Sequence, residues 1–178
     1  MQNHRAAARY AKSLIGLAEE TSVLDQVKDD MQLFLNVFND NRLFALVLSN
    51  PVILHSKKRA VLNALFADRM NKLTLSAFDL ITKKNRENIL DAVAEEFLIQ
   101  YNVLKKIQGA IVTTTVDLDE TQKADFRKVV KKFTGKQPEL EMKIDESLIG
   151  GFVLDIGDKQ LDESIKSKLN KIHRELTA

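Results

Sequence analysis

The sequence predicts an α+β protein: an all-α six-helix bundle over residues 1–106, followed by a small α+β domain over residues 107–178. Three observations carry that reading. Up to Lys106, apolar residues recur every three to four positions in stretches parted by short polar breaks, as in amphipathic helices packed on one another. Ile111-Val112-Thr113-Thr114-Thr115-Val116 then sets six β-branched residues in a row, favoured in a sheet and poor in a helix. Finally, Leu140, Met142 and Ile144 alternate with Glu141, Lys143 and Asp145, the pattern of a half-buried strand.

Each element has its own warrant. Residues 3–20 read as a helix with Ala7, Ala11, Leu14, Ile15 and Ala18 on one face. A second stripe, Tyr10, Leu14 and Leu17, widens that face enough to pack on a core and still offer a groove. Ser22 and Asp25 form a weak capping box for a second helix carrying Val23, Val27, Met31, Phe34 and Phe38. Asn39-Asp40-Asn41 interrupts, and a short helix from Arg42 to Leu48 is stopped by Ser49-Asn50-Pro51, because a residue before proline is pushed out of the α region. Ser56 is placed to cap a fourth helix with Ala60, Val61, Ala64, Leu65 and Phe66. Its first turn holds Lys57-Lys58-Arg59, cations that oppose the helix dipole and read as a solvated basic corner or an acidic-partner site. Asn71 opens a fifth helix with Leu73, Ala77, Phe78, Leu80 and Ile81, and Leu75 broadens its apolar face. Asn85, tolerant of the left-handed conformation, breaks the chain before a sixth helix from about Glu87 to Lys106.

Gln108-Gly109 reads as the joint between the two parts. Beyond the first strand, Asp119 and Gln122 make a capping box for a helix with Phe126, Val129, Val130 and Phe133 on one face, ended by Thr134-Gly135-Lys136. Asp145-Glu146-Ser147 is a turn, and Gly150-Gly151 supplies two residues free to take φ > 0 or to admit another backbone. Phe152–Ile156 is a buried strand, Gly157-Asp158 a tight turn, and Lys159-Gln160-Leu161 the antiparallel return. Asp162 caps a last helix with Ile165, Leu169, Ile172 and Leu176 on one stripe.

The last of these stretches, KIDESLIGGFVLDIGDKQLDESIKSKL, resembles the C-terminal signature of the F-type ATP synthase delta subunit, the family of the mitochondrial oligomycin-sensitivity-conferring protein. AAARYAKSLIGLAEE is similar to that family's first helix, and FDLITKKNRENILDAVAEEF to its fifth and sixth. The resemblance runs through nearly the whole chain. It implies a stator subunit without nucleotide, metal or other cofactor. Its helical domain would hold the N-terminus of an alpha subunit, and its C-terminal domain would receive the C-terminus of the b-subunit stalk. On that basis Ala7, Tyr10, Ala11, Leu14, Leu75 and Phe78 are the candidate alpha-peptide groove. Ile149, Gly150, Gly151, Phe152, Leu154 and Gly157 are the candidate stalk-binding signature.

Composition and motif content agree with a binding protein. Apolar residues at 44% and charged residues at 29% suit a soluble globular chain. No apolar run is long enough for a bilayer; VFNDNRLFALVL is broken by Asn39 to Arg42. His4, Arg5 and Arg9 among alanines have the basic character of a presequence, but they run straight into a patterned helix. The chain therefore reads as mature protein kept in a bacterial cytoplasm, peripheral to the cell membrane through its complex. With no cysteine there is no disulfide, thiolate nucleophile or cysteine metal site. His4, His55 and His173 lack metal-ligand spacing, Asp155, Asp158 and Asp162 lack the calcium-loop spacing, and Gly135-Lys136 lacks a phosphate-loop context. Ser147 and Ser164 lack a nucleophile elbow. No catalytic residue is assigned. The alternative is a small RNA-binding module using Lys57-Lys58-Arg59, Lys83-Lys84-Asn85-Arg86 and Lys131-Lys132. Against it, residues 1–106 carry 15 basic and 12 acidic side chains, and the rest 12 and 13, a field too weak for nucleic acid.

Overall fold

The structure, a computed structural model, describes residues 2–177. The chain divides into two compact units, Met1–Val103 and Leu104–Ala178. The first holds helices α1 (Gln2–Glu20), α2 (Leu24–Asp40), α3 (Arg42–Ser49), α4 (His55–Phe66), α5 (Lys72–Lys83) and α6 (Leu90–Leu104), whose last residue belongs to the second unit. The second holds β1 (Ile107–Thr114), α7 (Glu120–Thr134), β2 (Gln137–Ile144), β3 (Phe152–Ile156), β4 (Lys159–Asp162) and α8 (Ile165–Thr177). The α+β reading, with six helices before the small sheet, is the observed architecture.

The core of the helical unit is built around Phe34. Its ring lies 4.9 Å from Phe78, 5.8 Å from Phe66, 5.9 Å from Phe44 and 6.0 Å from Phe38, so one side chain ties α2 to α3, α4 and α5. Ala7, Ala11 and Ala18 are completely buried on the inner face of α1; their small size lets neighbouring helices close in.

The helix ends follow local chemistry, with corrections. Ser22 does not cap α2. It takes φ +57, its N–H bonds to Glu19 O, and Val23 N–H bonds to Ala18 O, a left-handed C-terminal cap on α1. Asn85 does the same for α5 at φ +59, with Arg86 N–H reaching back to Ile81 O. Asn41 and Asn71 are true N-caps, accepting from Phe44 N–H and Leu73 N–H. Ser56 is not one: α4 begins at His55, behind Leu54, with no side-chain cap. Residues Glu87–Ile89 form a single 3₁₀ turn, which delays α6 to Leu90.

In the second unit the strand order is β2-β1-β3-β4. β1 and β2 are parallel and joined through α7, as a parallel pair requires a crossover. β3 runs antiparallel to β1 and turns tightly into β4. Ala110, Val112, Val130, Leu154 and Ile156 make the core beneath α7. Gln108-Gly109 is inside β1 and is not the joint; the chain turns just before it, at Lys106 with φ +54. The Asp119–Gln122 capping box forms in both directions, and Gly135 closes α7 at φ +68. Phe133 does not join the buried face of α7 and stays 70% exposed, and Ile144 at the end of β2 is also exposed. Ile165, Leu169 and Ile172 lie open on α8, while Leu176 lies outside the residues whose side chains are described.

Candidate binding groove and hairpin site

An apolar groove of about 200 Å³ runs along the helical unit between α1 and α5. Tyr10, Leu14 and Leu17 line it from α1; Leu73, Ala77, Leu80 and Ile81 line it from α5. The spacings are one helix turn each, so every groove residue belongs to one stripe of its helix. Leu17 and Leu80 are 49% and 50% exposed, the open walls, whereas Leu14 and Ile81 are buried below them. The only polar side chains within it among the described residues are the small hydroxyls of Ser13 and Ser76 and the phenol of Tyr10. Such a trough can seat the apolar face of an amphipathic helix, and offers no acid, base or nucleophile arrangement for bond chemistry.

The structure redistributes the predicted groove residues. Tyr10 and Leu14 line the trough. Ala7 and Ala11 do not reach it: both are fully buried on the inner side of α1, where they admit neighbouring helices of the bundle and not a guest. Leu75 is half-buried and is not among the lining residues. Phe78 touches the groove only as its floor, at 2% exposure, with its ring packed on Phe34. Leu73, Ala77 and Leu80, read from sequence as part of the apolar face of the fifth helix, line the groove. Period alone identified two apolar stripes without saying which one faced inward.

The hairpin residues do not form a single surface. Leu154 is entirely buried under α7, yet it floors a hollow of about 640 Å³ with Phe133, Ile156, Gly157 and Leu161. Phe152 is half-buried and packs edge-on against Phe126 at 4.9 Å. Ile149, Gly150 and Gly151 lie outside that hollow. Gly151 has φ +78, and a Cβ there would sit 2.3 Å from the Glu163 carbonyl oxygen, so the position requires glycine twice over. Gly150 O accepts from Ile165 N–H, which fixes the start of α8. Ile149 is exposed at φ +67, an uncommon conformation for a β-branched residue.

Part of the basic clusters is engaged in structural contacts. Lys58 is buried, and its Nζ donates to Glu87 Oε1 at 2.7 Å and to Leu48 O at 2.8 Å. It thus places a cation at the C-terminal end of α3, where the helix dipole favours one, and this offsets its poor position in the first turn of α4. Burial pushes the Glu87 carboxyl up, but the Lys58 ammonium, the backbone of its own turn and His55 outweigh burial and hold it below its ordinary value. Arg59 and Lys83 both pair with Asp79. These pairings engage Lys58, Arg59 and Lys83 of the clusters behind the RNA-binding alternative, while Lys57, Lys84, Arg86, Lys131 and Lys132 stay exposed. Among the described residues, no group of three or more His, Asp or Glu can hold a metal ion, and no helix is long and apolar enough to cross a membrane.

The family model described as "ATP synthase delta (OSCP) subunit" matches residues 6–176. This chain belongs to the ATP synthase delta (OSCP) family. It is 43% identical over 177 residues to the ATP synthase subunit delta of Cytophaga hutchinsonii, covering 99% of this chain and 97% of that one. It is 38% identical to the subunit of the same name from Christiangramia forsetii, covering 99% and 95%. In fold it is similar to a chain of the cryo-EM structure of the Toxoplasma gondii mitochondrial ATP synthase hexamer, with a TM-score of 0.67 and 21% identity over 97% of each chain.

Proposed function

We propose that this chain is the non-catalytic stator subunit of an F-type ATP synthase. The helical unit holds an alpha-subunit N-terminus in the groove between α1 and α5. The C-terminal unit receives the b-subunit stalk. Together the two attachments keep the catalytic head from turning with the rotor during proton-driven synthesis. The protein makes and breaks no bonds, carries no cofactor, and reaches the cytoplasmic face of a bacterial cell membrane through its complex.

The observation that carries this reading is the groove itself, an apolar trough walled by Leu17 and Leu80 in a chain of this family. Removing a leucine contact from such an interface costs about 1.5–3 kcal/mol, or roughly ten- to a hundredfold in affinity. The test is calorimetric titration of the full-length chain with a synthetic peptide of the alpha-subunit N-terminus from the same organism. Leu17→Asp and Leu80→Asp, both at half-exposed positions, are expected to weaken binding at least tenfold while leaving the melting temperature nearly unchanged. Undiminished affinity in both variants overturns the assignment.

A further inference from the structure

The groove is apolar along its length but not symmetric at its ends. Asn71 Nδ2 donates to Gln26 near the start of α2, so α5 begins beside the end of α1. Arg86 Nη1 donates to the Tyr10 hydroxyl at 3.4 Å, so α5 finishes beside the earlier part of α1. The two walls therefore run antiparallel, and the groove has a Tyr10–Arg86 mouth and a Leu17–Leu73 mouth. At the first, Arg9 lies one turn before Ser13 and Lys84 one turn after Leu80, both exposed, and Arg86 is exposed beside them. The nearby Asp79 is already paired with Arg59 and Lys83 and offsets none of these three cations. At the second, Glu20 lies one turn after Leu17 and Lys72 one turn before Ser76, and they oppose each other in sign.

Resting on the reading of this groove as a helix-binding site, we infer that charge sets the polarity of the helix it holds: the acidic end of the guest lies at the Tyr10–Arg86 mouth. Apolar contacts along a uniform trough cannot distinguish the two directions of a helix. Charge at the mouths can, because like charges brought together are disfavoured and opposite charges steer the encounter.

The test uses the full-length protein and three synthetic amphipathic peptides with one shared apolar stripe. One carries glutamates in its first two turns and lysines in its last two, one has that order reversed, and one is neutral. A nitroxide on the acidic end is expected to broaden the amide signals around Tyr10 and Arg86 with either charged peptide, and one on the basic end those around Leu17 and Leu73. The two peptides then dock in opposite chain directions. The double variant Lys84→Glu, Arg86→Glu is expected to weaken both charged peptides about three- to tenfold more than the neutral one. The same chain direction for both peptides, broadening at both mouths alike, or no selective loss in the double variant overturns the inference and leaves the groove reading standing. Failure of all three peptides to bind overturns both.

Discussion

Lys58 shows how far one residue's role depends on what the fold brings to it. It is the middle of a basic triplet, yet it is buried, with both of its acceptors more than nine residues away in sequence. Glu87 Oε2 is buried without a hydrogen-bond partner among the described residues, so this carboxylate depends on the ammonium. Lys58→Met is expected to cost about 3–5 kcal/mol in urea unfolding, because it strands a buried charge. Pairing it with Glu87→Leu is expected to recover most of that loss. The pH dependence has a definite sign. The folded-state carboxyl of Glu87 titrates below its ordinary 4.5, so its contribution is complete above that value and is lost as pH falls through the lower, folded one. An acid titration should therefore show the wild-type melting temperature falling below pH 4.5 more steeply than that of the double variant. At Gly151 the constraint is steric. Gly151→Val meets backbone at 2.3 Å and an unfavourable φ together, and is expected to lower stability by about 1–3 kcal/mol. Under the stator reading it also loosens b-subunit binding while the helical unit keeps its alpha-peptide affinity. A valine variant with wild-type melting and wild-type stalk affinity contradicts this.

Among the elements, α1 and α5 carry the clearest test of what faces where. Phe78→Ala is expected to lower stability by about 3–5 kcal/mol, since the ring is buried against Phe34. Lost peptide affinity in that variant would follow from a damaged fold; a near-normal melt with lost affinity would instead mean that the ring serves the guest. The helices, the β1 run, the Asp119 capping box and the 152–162 hairpin were legible because each is written in local chemistry: period, β-branching, caps and turn residues. Ser22 and Ser56 misled because a hydroxyl before an apolar run suits several backbone conformations, and tertiary packing chose others. Ala7 and Ala11 misled for a related reason. Small residues mark close approach, but sequence does not say whether the approaching helix belongs to the same chain. Tyr10 and Leu14 were placed in the groove, whereas Leu17 and Leu80 were visible only as members of a stripe. Their exposure is a property of how two helices distant in sequence come together.

For the molecule as a whole, the change from period-three-and-four to period-two patterning coincides with the division into two compact units, near the end of α6 and the start of β1. Each unit has a separate core: the Phe34 cluster in one, the Val112–Leu154 cluster under α7 in the other. Separate cores predict separate folding, because each unit carries its own apolar burial. The residues between α6 and β1, Lys105 and Lys106, are exposed and offer a protease two basic side chains. Limited trypsin digestion is therefore expected to leave a fragment ending at Lys105 or Lys106. Its circular dichroism should be strongly helical, and its thermal unfolding cooperative. The same fragment should bind the alpha-subunit peptide within about twofold of the full chain and have no affinity for the b subunit. An unfolded fragment would mean that the helical unit needs the sheet for stability. A folded fragment that had lost the peptide would move the alpha-binding surface out of the groove between α1 and α5.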